Sequence, residues 1–220
     1  MGIIHSFLNS SATTFFLQSF ISLFVIVNAI GNMPIFVPLL ERFSDSEKAV
    51  MMRKATIIAA CTLLFVTITG NAFFRLLGIE MFSFTIAGGI LLMIVSIEML
   101  LGQRTRTQSS VIEEQNSAEV DEITVIPLAI PLLTGPGALT TGVMLFANAG
   151  NLQNRIILLA TIVIVFLISY LILARSRQLL ALLGKTGTRV ARRIMGLMLL
   201  SIAVKFIIKG IFDAVHLYAA

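Results

Sequence analysis

The chain has 220 residues, of which 57% are hydrophobic and only 12% are charged, and its mean hydropathy is +0.98. A soluble helical bundle needs many more charges on its outer faces, so the composition excludes one and predicts an integral membrane protein. The net charge of +5 does not indicate a nucleic-acid partner, because the basic loops carry no interleaved aromatic residues and no recognition motif.

Six apolar stretches are long enough to cross a bilayer as helices, which takes about 20 residues each. They run from about 14 to 38, 55 to 78, 82 to 101, 123 to 148, 155 to 174 and 192 to 212. A membrane barrel would show short strands of alternating polarity, whereas Ile156 to Leu173 is apolar on every face. The predicted fold class is an all-α membrane protein with six transmembrane helices.

The first span is interrupted by the sequence Asn-Ala-Ile-Gly-Asn-Met-Pro at residues 28 to 34. Pro34 lacks an N–H donor, and Gly31 permits turns that other residues resist. In hydrocarbon, a helix break persists only where protein, ligand or a wet cavity satisfies the freed backbone groups. The pattern predicts a discontinuous helix with four candidate substrate-binding residues: Asn28, Gly31, Asn32 and Pro34.

The fourth span has a similar interruption, Pro-Leu-Leu-Thr-Gly-Pro-Gly at residues 131 to 137. The candidate substrate-binding residues here are Pro131, Thr134, Gly135, Pro136 and Gly137. A half-helix N-terminus attracts a carboxylate, while carbonyls and Asn side chains can hold an ammonium group, so the two breaks together suit an amino-acid zwitterion. We expect them to meet near mid-bilayer. The competing interpretation is that Pro and Gly only kink the helices and allow close packing.

Lys and Arg collect on one side of the spans: four in the loop after the first span, two in a polar linker over residues 103 to 122, and six after the fifth span. The other side has Arg75 and Arg155, with Lys205 and Lys209 in or near the end of the sixth span. The positive-inside rule therefore places both termini outside the cytoplasm and the linker inside the cell.

The two halves of the chain share landmarks. Residues 85–94 align with residues 193–202, and Gly102 then aligns with Gly210. Three spans is an odd number, so the second copy must cross the membrane in the opposite sense, which is an inverted-topology repeat. The predicted domains are a first three-helix repeat, a cytoplasmic linker and a second, inverted repeat, at residues 1–102, 103–122 and 123–220.

These motifs resemble those of the MarC family, which includes the small neutral amino acid transporter SnatA. The resemblance covers nearly the whole chain and rests on Asn-x-Ile-Gly-Asn-x-Pro-x-Phe at 28–36, Ile-Ala-Gly-Gly at 86–89, the run 127–137, and Arg-Ile-Met-Gly at 193–196. It implies six spans, termini outside the cytoplasm, a cytoplasmic (inner) membrane, and transport of glycine, alanine and similar small amino acids.

The predicted function is thus secondary transport of small neutral amino acids by alternating access, with a channel or drug-efflux protein as the alternative. An enzyme is not expected, because His5 and His216 lie near opposite ends of the chain and no catalytic arrangement is evident. No cofactor is expected. The coupling ion, proton or sodium, stays open because the breaks contain no ionisable side chain; Glu98 is interpreted as reaching the interface, and Lys205 as lining a cavity or reaching outward.

Overall fold

The computed structural model describes residues 11–40, 43–102 and 133–219, and every regular element in these ranges is helical. The predicted linker, Pro131 and the first part of the fourth predicted span lie outside the described residues. The helices are α1 (Ser11–Val27), α2 (Ala29–Leu40), α3 (Asp45–Leu76), α4 (Met81–Leu101), α5 (Pro136–Ala147), α6 (Leu152–Ala174) and α7 (Ser176–Ala219).

Five helical segments are long and apolar enough to cross a membrane. They are Ala12–Pro34, Asp45–Leu76, Met81–Leu101, Leu152–Ala174 and Thr186–Tyr218, and Gly137–Ala147 is a shorter apolar helix. Large apolar side chains such as Phe65 and Leu167 are exposed on the outside of the bundle, as a hydrocarbon surrounding requires. The chain is a multi-pass, all-helical membrane protein, and five of the six predicted spans are confirmed.

Two helices extend beyond the apolar stretches seen in the sequence. α3 begins at Asp45, ten residues before the predicted span, because Ser44 and Glu47 form a capping box in which the Ser44 N–H donates to Glu47 Oε2 at 2.8 Å. α7 starts at Ser176 and bends at Gly184, which has φ 62° and ψ −177°. Only glycine adopts that backbone conformation without strain, so Gly184 separates a short first segment from the spanning part of α7.

α4 and α7 pack against each other more extensively than any other pair of described helices. They run antiparallel, with Gly89 facing the carbonyl of Ala203 and Gly196 facing the carbonyl of Ser96. Small residues let the two backbones approach closely, which is how membrane helices gain packing energy. Close helix packing, rather than ligand contact, is thus the observed role of Gly89 and Gly196.

The shorter helices fill the space around this pair. α1 packs mainly on α6 and α2 on α7, whereas α5 packs on α3 and α4. The interior they share is apolar and includes Leu23, Met33, Phe36, Leu63 and Phe166, each at most 2% exposed. The junction between α1 and α2 and the start of α5 therefore both lie inside the bundle rather than at its lipid-facing surface.

Candidate site at two helix breaks

The first break is one residue wide. Asn28 separates α1 from α2 and has φ 52°, the left-handed region, which no other non-glycine residue in the described ranges adopts. Asparagine tolerates this region better than most residues. Helical hydrogen bonds continue on both sides, from the Asn28 N–H to the Phe24 carbonyl at 3.1 Å and from the Asn32 N–H to the Asn28 carbonyl at 3.0 Å. The predicted discontinuity of this span is present.

Two asparagine side chains satisfy the backbone groups that the break frees. The Gly31 N–H donates to Asn28 Oδ1 at 3.2 Å instead of to the carbonyl of Val27, its usual helical acceptor. That carbonyl accepts a hydrogen bond from Asn32 Nδ2, also at 3.2 Å. Asn28 thus caps the start of α2, while Asn32 caps the end of α1. In the conformation seen, part of their polar capacity is used within the protein.

The remaining donor of the Asn28 amide reaches across to α4. Asn28 Nδ2 donates to Met99 Sδ at 3.2 Å, and both residues are buried, at 6% and 5% exposure. A thioether sulfur is a weak acceptor, so this donor is satisfied less well than it would be by an oxygen. A Cβ at Gly31 would overlap the Asn28 amide, so the glycine is required by the folded-back side chain.

Prolines in α2 leave further acceptors near the break. Pro34 and Pro38 have no N–H, so the carbonyls of Ile30 and Pro34, four residues earlier in each case, receive no helical donor. These two carbonyls lie one turn apart along α2. Pro34 is among the residues predicted from the sequence, whereas Pro38 is not, although its spacing of four from Pro34 indicates a second open carbonyl.

The second break is held by tertiary structure. Thr134 is 1% exposed, and its hydroxyl donates to the carbonyl of Ala59 on α3 at 3.0 Å. Gly135 has φ −65° and ψ 168°, an extended conformation open to any residue, and α5 begins at Pro136. Gly135 has no side chain that could cap α5, and Pro136 has no N–H. The first free N–H of the described part of α5 is therefore that of Gly137, which has no side-chain cap.

The two breaks lie against the same helix, at different heights. Asn28 contacts Met99 in the last turn of α4, whereas Gly137 packs against Leu92, near the middle of α4. Seven residues separate these contacts, or about 10 Å along the helix. Counting along the sequence places both breaks at mid-bilayer, but the structure sets the first one closer to the end of α4. Neither Met99 nor Leu92 carried a sequence signal beyond helical periodicity.

Thr141 bonds within its own helix, and the charged residues Glu98 and Lys205 differ in burial. The Thr141 hydroxyl donates to the Gly137 carbonyl of its own helix at 2.7 Å, as is common in membrane helices. Glu98 has one buried carboxylate oxygen with no partner among the residues the structure describes, and Lys205 is exposed. Within the same ranges, no group of His, Cys, Asp and Glu residues could hold a metal ion.

A cavity of about 530 Å³ opens at the end of α2 that points away from Asn28. Its walls come from α2, α3, α6 and the start of α7, and include Val37, Leu40, Lys48, Tyr170 and Arg177. Val37 follows Asn28 by nine residues, about 13 Å along the helix. The cavity combines polar residues such as Lys48 and Arg177 with apolar ones such as Leu40, and it is separate from the break.

Comparison with known proteins identifies relatives over almost the whole chain. The family model described as "MarC family integral membrane protein" matches residues 13–215. A "UPF0056 membrane protein" of Archaeoglobus fulgidus is 40% identical over 200 residues, covering 91% of this chain and 93% of its own length. The "UPF0056 membrane protein YvbG" of Bacillus subtilis is 33% identical over 203 residues, covering 90% and 96%. No solved structure matches the chain.

Proposed function

Because the chain belongs to the MarC family of integral membrane proteins, we propose that it is a secondary transporter of small neutral amino acids such as glycine and alanine. The substrate binds at the two helix breaks, and transport proceeds by alternating access. The observation that carries the proposal is that both breaks, with their polar groups, lie inside an apolar bundle against one face of α4.

The proposed binding mode assigns one charge of the zwitterion to each kind of group. The carboxylate binds the N-terminus of α5 at Gly135 to Gly137, where the uncapped N–H and the helix dipole favour an anion. The ammonium group binds the carbonyl of Ile30, which Pro34 leaves without a helical donor. Because only the α-carbon and the carboxyl carbon separate the two charges, the substrate-bound state must bring the breaks closer than the roughly 10 Å between their contacts on α4. A small side chain suits the site because close helix packing leaves little room for a large one.

Asn28 contributes a donor that can change partner at low cost. Its Nδ2 is bonded to the Met99 sulfur, a weak acceptor, so one oxygen of the substrate carboxylate held at α5 would be a better one. Asn32 keeps the end of α1 capped while this exchange occurs. The exchange makes the substrate bind one arrangement of the break more tightly than the other. A ligand changes the balance between two conformations only through such a difference in affinity.

We also propose the inverted repeat, with residues 1–102 and 123–220 as its two halves and residues 103–122 as the linker. The packing of the helices supports it. Exchanging the halves turns α5 into α2, α3 into α6 and α4 into α7. The α3–α5 contact then becomes the α6–α2 contact and the α4–α5 contact becomes the α7–α2 contact, and all four are present. The α4–α7 pair maps onto itself. Such pairs of equivalent contacts allow one half to rock against the other.

The proposed orientation puts both termini outside the cytoplasm, in the inner membrane of the cell, because Lys and Arg favour the cytoplasmic side. A cysteine introduced as Ser110→Cys in a Cys61→Ser background should react only with a reagent on the cytoplasmic side, and Ala219→Cys only from outside. Reaction of both from one side would overturn the orientation and the inverted repeat together.

Flux measurements in proteoliposomes test the function. Labelled glycine, alanine and serine should enter with saturable kinetics and compete with one another, whereas phenylalanine should compete poorly. Proton and sodium gradients imposed across the vesicle membrane identify the coupling ion. We expect flux to need no added cofactor and the amino acid to be recovered chemically unchanged. Flux that does not saturate indicates a channel, and export of large hydrophobic cations without amino-acid flux indicates drug efflux; either result would contradict the proposal.

A further inference from the structure

A separate cavity lies between the end of α4 and the first turns of α7 beyond the bend at Gly184. Its volume is about 410 Å³. On the α4 side it is lined by Met99, Leu101 and Gly102, and on the α7 side by Thr188, Arg189, Arg192 and Arg193. An apolar wall thus faces a basic one, in a space large enough for a phosphate and the groups attached to it.

The three arginines converge because of their spacing. Arg189, Arg192 and Arg193 are related by three and four residues, which puts them on one face of α7. Among the described parts of the chain, none of their guanidinium groups has a hydrogen bond or an ion pair with a carboxylate. The guanidinium fork matches the oxygens of a phosphate and forms paired, charge-assisted hydrogen bonds with them.

The cavity lies at the start of the spanning part of α7. The spanning part of α7, Thr186–Tyr218, has 33 residues and is about 50 Å long, whereas the hydrocarbon core is about 30 Å thick. About 20 Å of it therefore extends beyond the hydrocarbon. The first turns carry the three arginines, so we expect these turns among the headgroups. Leu182, just before the bend, is 85% exposed, as suits an apolar side chain at a membrane interface.

We propose that this cavity binds the phosphate of an anionic phospholipid through Arg189, Arg192 and Arg193. Met99 and Leu101 provide the apolar wall for the glycerol and the first carbons of the acyl chains. Basic pockets between transmembrane helices at the headgroup level recognise anionic lipids in this way. Since Met99 also contacts Asn28, the bound lipid adjoins the first helix break through a single side chain.

The absence of Trp from the chain allows a direct test. Leu101→Trp introduces a single fluorophore in the cavity wall of the full-length protein, reconstituted in phosphatidylcholine vesicles. Brominated phosphatidylglycerol should quench it at about one tenth of the membrane fraction that brominated phosphatidylcholine requires, equivalent to about 1.4 kcal/mol. Replacing Arg189, Arg192 and Arg193 together by Gln should abolish this tenfold preference, while Lys at the three positions should retain part of it.

The matched control replaces Arg53, Arg175 and Arg177 by Gln, which removes three charges from the same predicted side but none from the cavity. It should leave the preference intact.

Mass spectrometry of phosphatidylglycerol retained by the purified chain without the Trp reporter gives a second readout. Equal quenching by the two lipids, or equal loss in both triple variants, would overturn the proposal. Release of the brominated lipid by millimolar inorganic phosphate would overturn a lipid as the ligand and assign the site to a soluble phosphate compound.

Discussion

The two helix breaks differ in what holds them open. At the first, Asn28 and Asn32 satisfy the freed backbone groups from within the same stretch of chain. At the second, no side chain among the residues described from Leu133 onward caps α5, and the Thr134 hydroxyl donates instead to the Ala59 carbonyl on α3. The first break is therefore stabilised by a few consecutive residues, whereas the second depends on a contact with a neighbouring helix.

This difference bears on how each break can respond to a ligand. If the substrate binds as proposed, the first break exchanges a weak partner, the Met99 sulfur, for a substrate oxygen. The second break is bonded to α3 through Thr134, so a ligand that binds the N-terminus of α5 would also act on α3. We expect substitutions at either break to affect substrate affinity. Loss of the Thr134 contact with α3 should in addition affect stability or the conformational change.

The largest effect is expected for Gly31→Ala. The added Cβ overlaps the Asn28 amide and displaces both the cap and the contact with Met99, so alanine uptake should fall about a hundredfold, or roughly 2.8 kcal/mol. Gly187→Ala is the control, since Gly187 lies in α7 with only the flexible Leu183 side chain nearby, and it should leave uptake unchanged. Equal uptake by the two variants would show that the folded-back Asn28 side chain is not needed.

At Asn28, two substitutions separate the side chain from the backbone. Asn28→Ala loses the amide and disfavours the left-handed conformation, while Asn28→Gly loses the amide only. We expect Asn28→Ala to weaken substrate binding about fivefold to a hundredfold, from about 1 to 3 kcal/mol for a buried group left unpaired. Asn28→Gly should recover the stability that alanine loses through the left-handed backbone, but neither the cap on the Gly31 N–H nor the binding. If glycine restores substrate affinity measured in proteoliposomes, Asn28 serves the break and not the ligand.

Thr134→Val tests the dependence of the second break on α3. It removes the hydrogen bond to Ala59 and should lower the free energy of unfolding by about 1 kcal/mol. Thr161→Val is matched, because Thr161 is also buried but donates to the Ile157 carbonyl of its own helix, and it should cost less. Thermal unfolding of both variants in detergent gives the comparison, and a Thr161 variant as unstable as the Thr134 variant would contradict a special role for the tertiary bond.

The smallest effect is expected for Met99→Leu. The substitution conserves volume but removes the sulfur that accepts from Asn28. Because a substrate oxygen is proposed to replace that sulfur, uptake should change by less than about threefold, a free energy of about 0.6 kcal/mol. Leu199→Met, at another buried position, controls for the change of side-chain shape. A tenfold loss of uptake in Met99→Leu alone would mean that the sulfur contact is part of the working site.

The sequence by itself determined the environment, the helical class and the position of the first break. Long apolar runs have only one stable form in a bilayer, so the spans follow from composition and length. The hydrogen bonds that cap the break involve Asn28, Gly31 and Asn32. The break could therefore be predicted from the seven consecutive residues 28–34. The roles of these residues in binding stay predictions, as do those of Pro34, Pro131, Thr134, Gly135, Pro136 and Gly137.

Only the tertiary structure decided which helices the breaks face. No periodicity in α4 distinguishes Met99 or Leu92 from other buried residues, yet these two side chains contact the two breaks. Nor does the local sequence reveal that Thr134 bonds to Ala59, 75 residues away. Contacts of this kind depend on how the helices rotate and slide against one another, and in a membrane that is set by close packing of small residues such as Gly89 and Gly196, distributed over helices far apart in the chain.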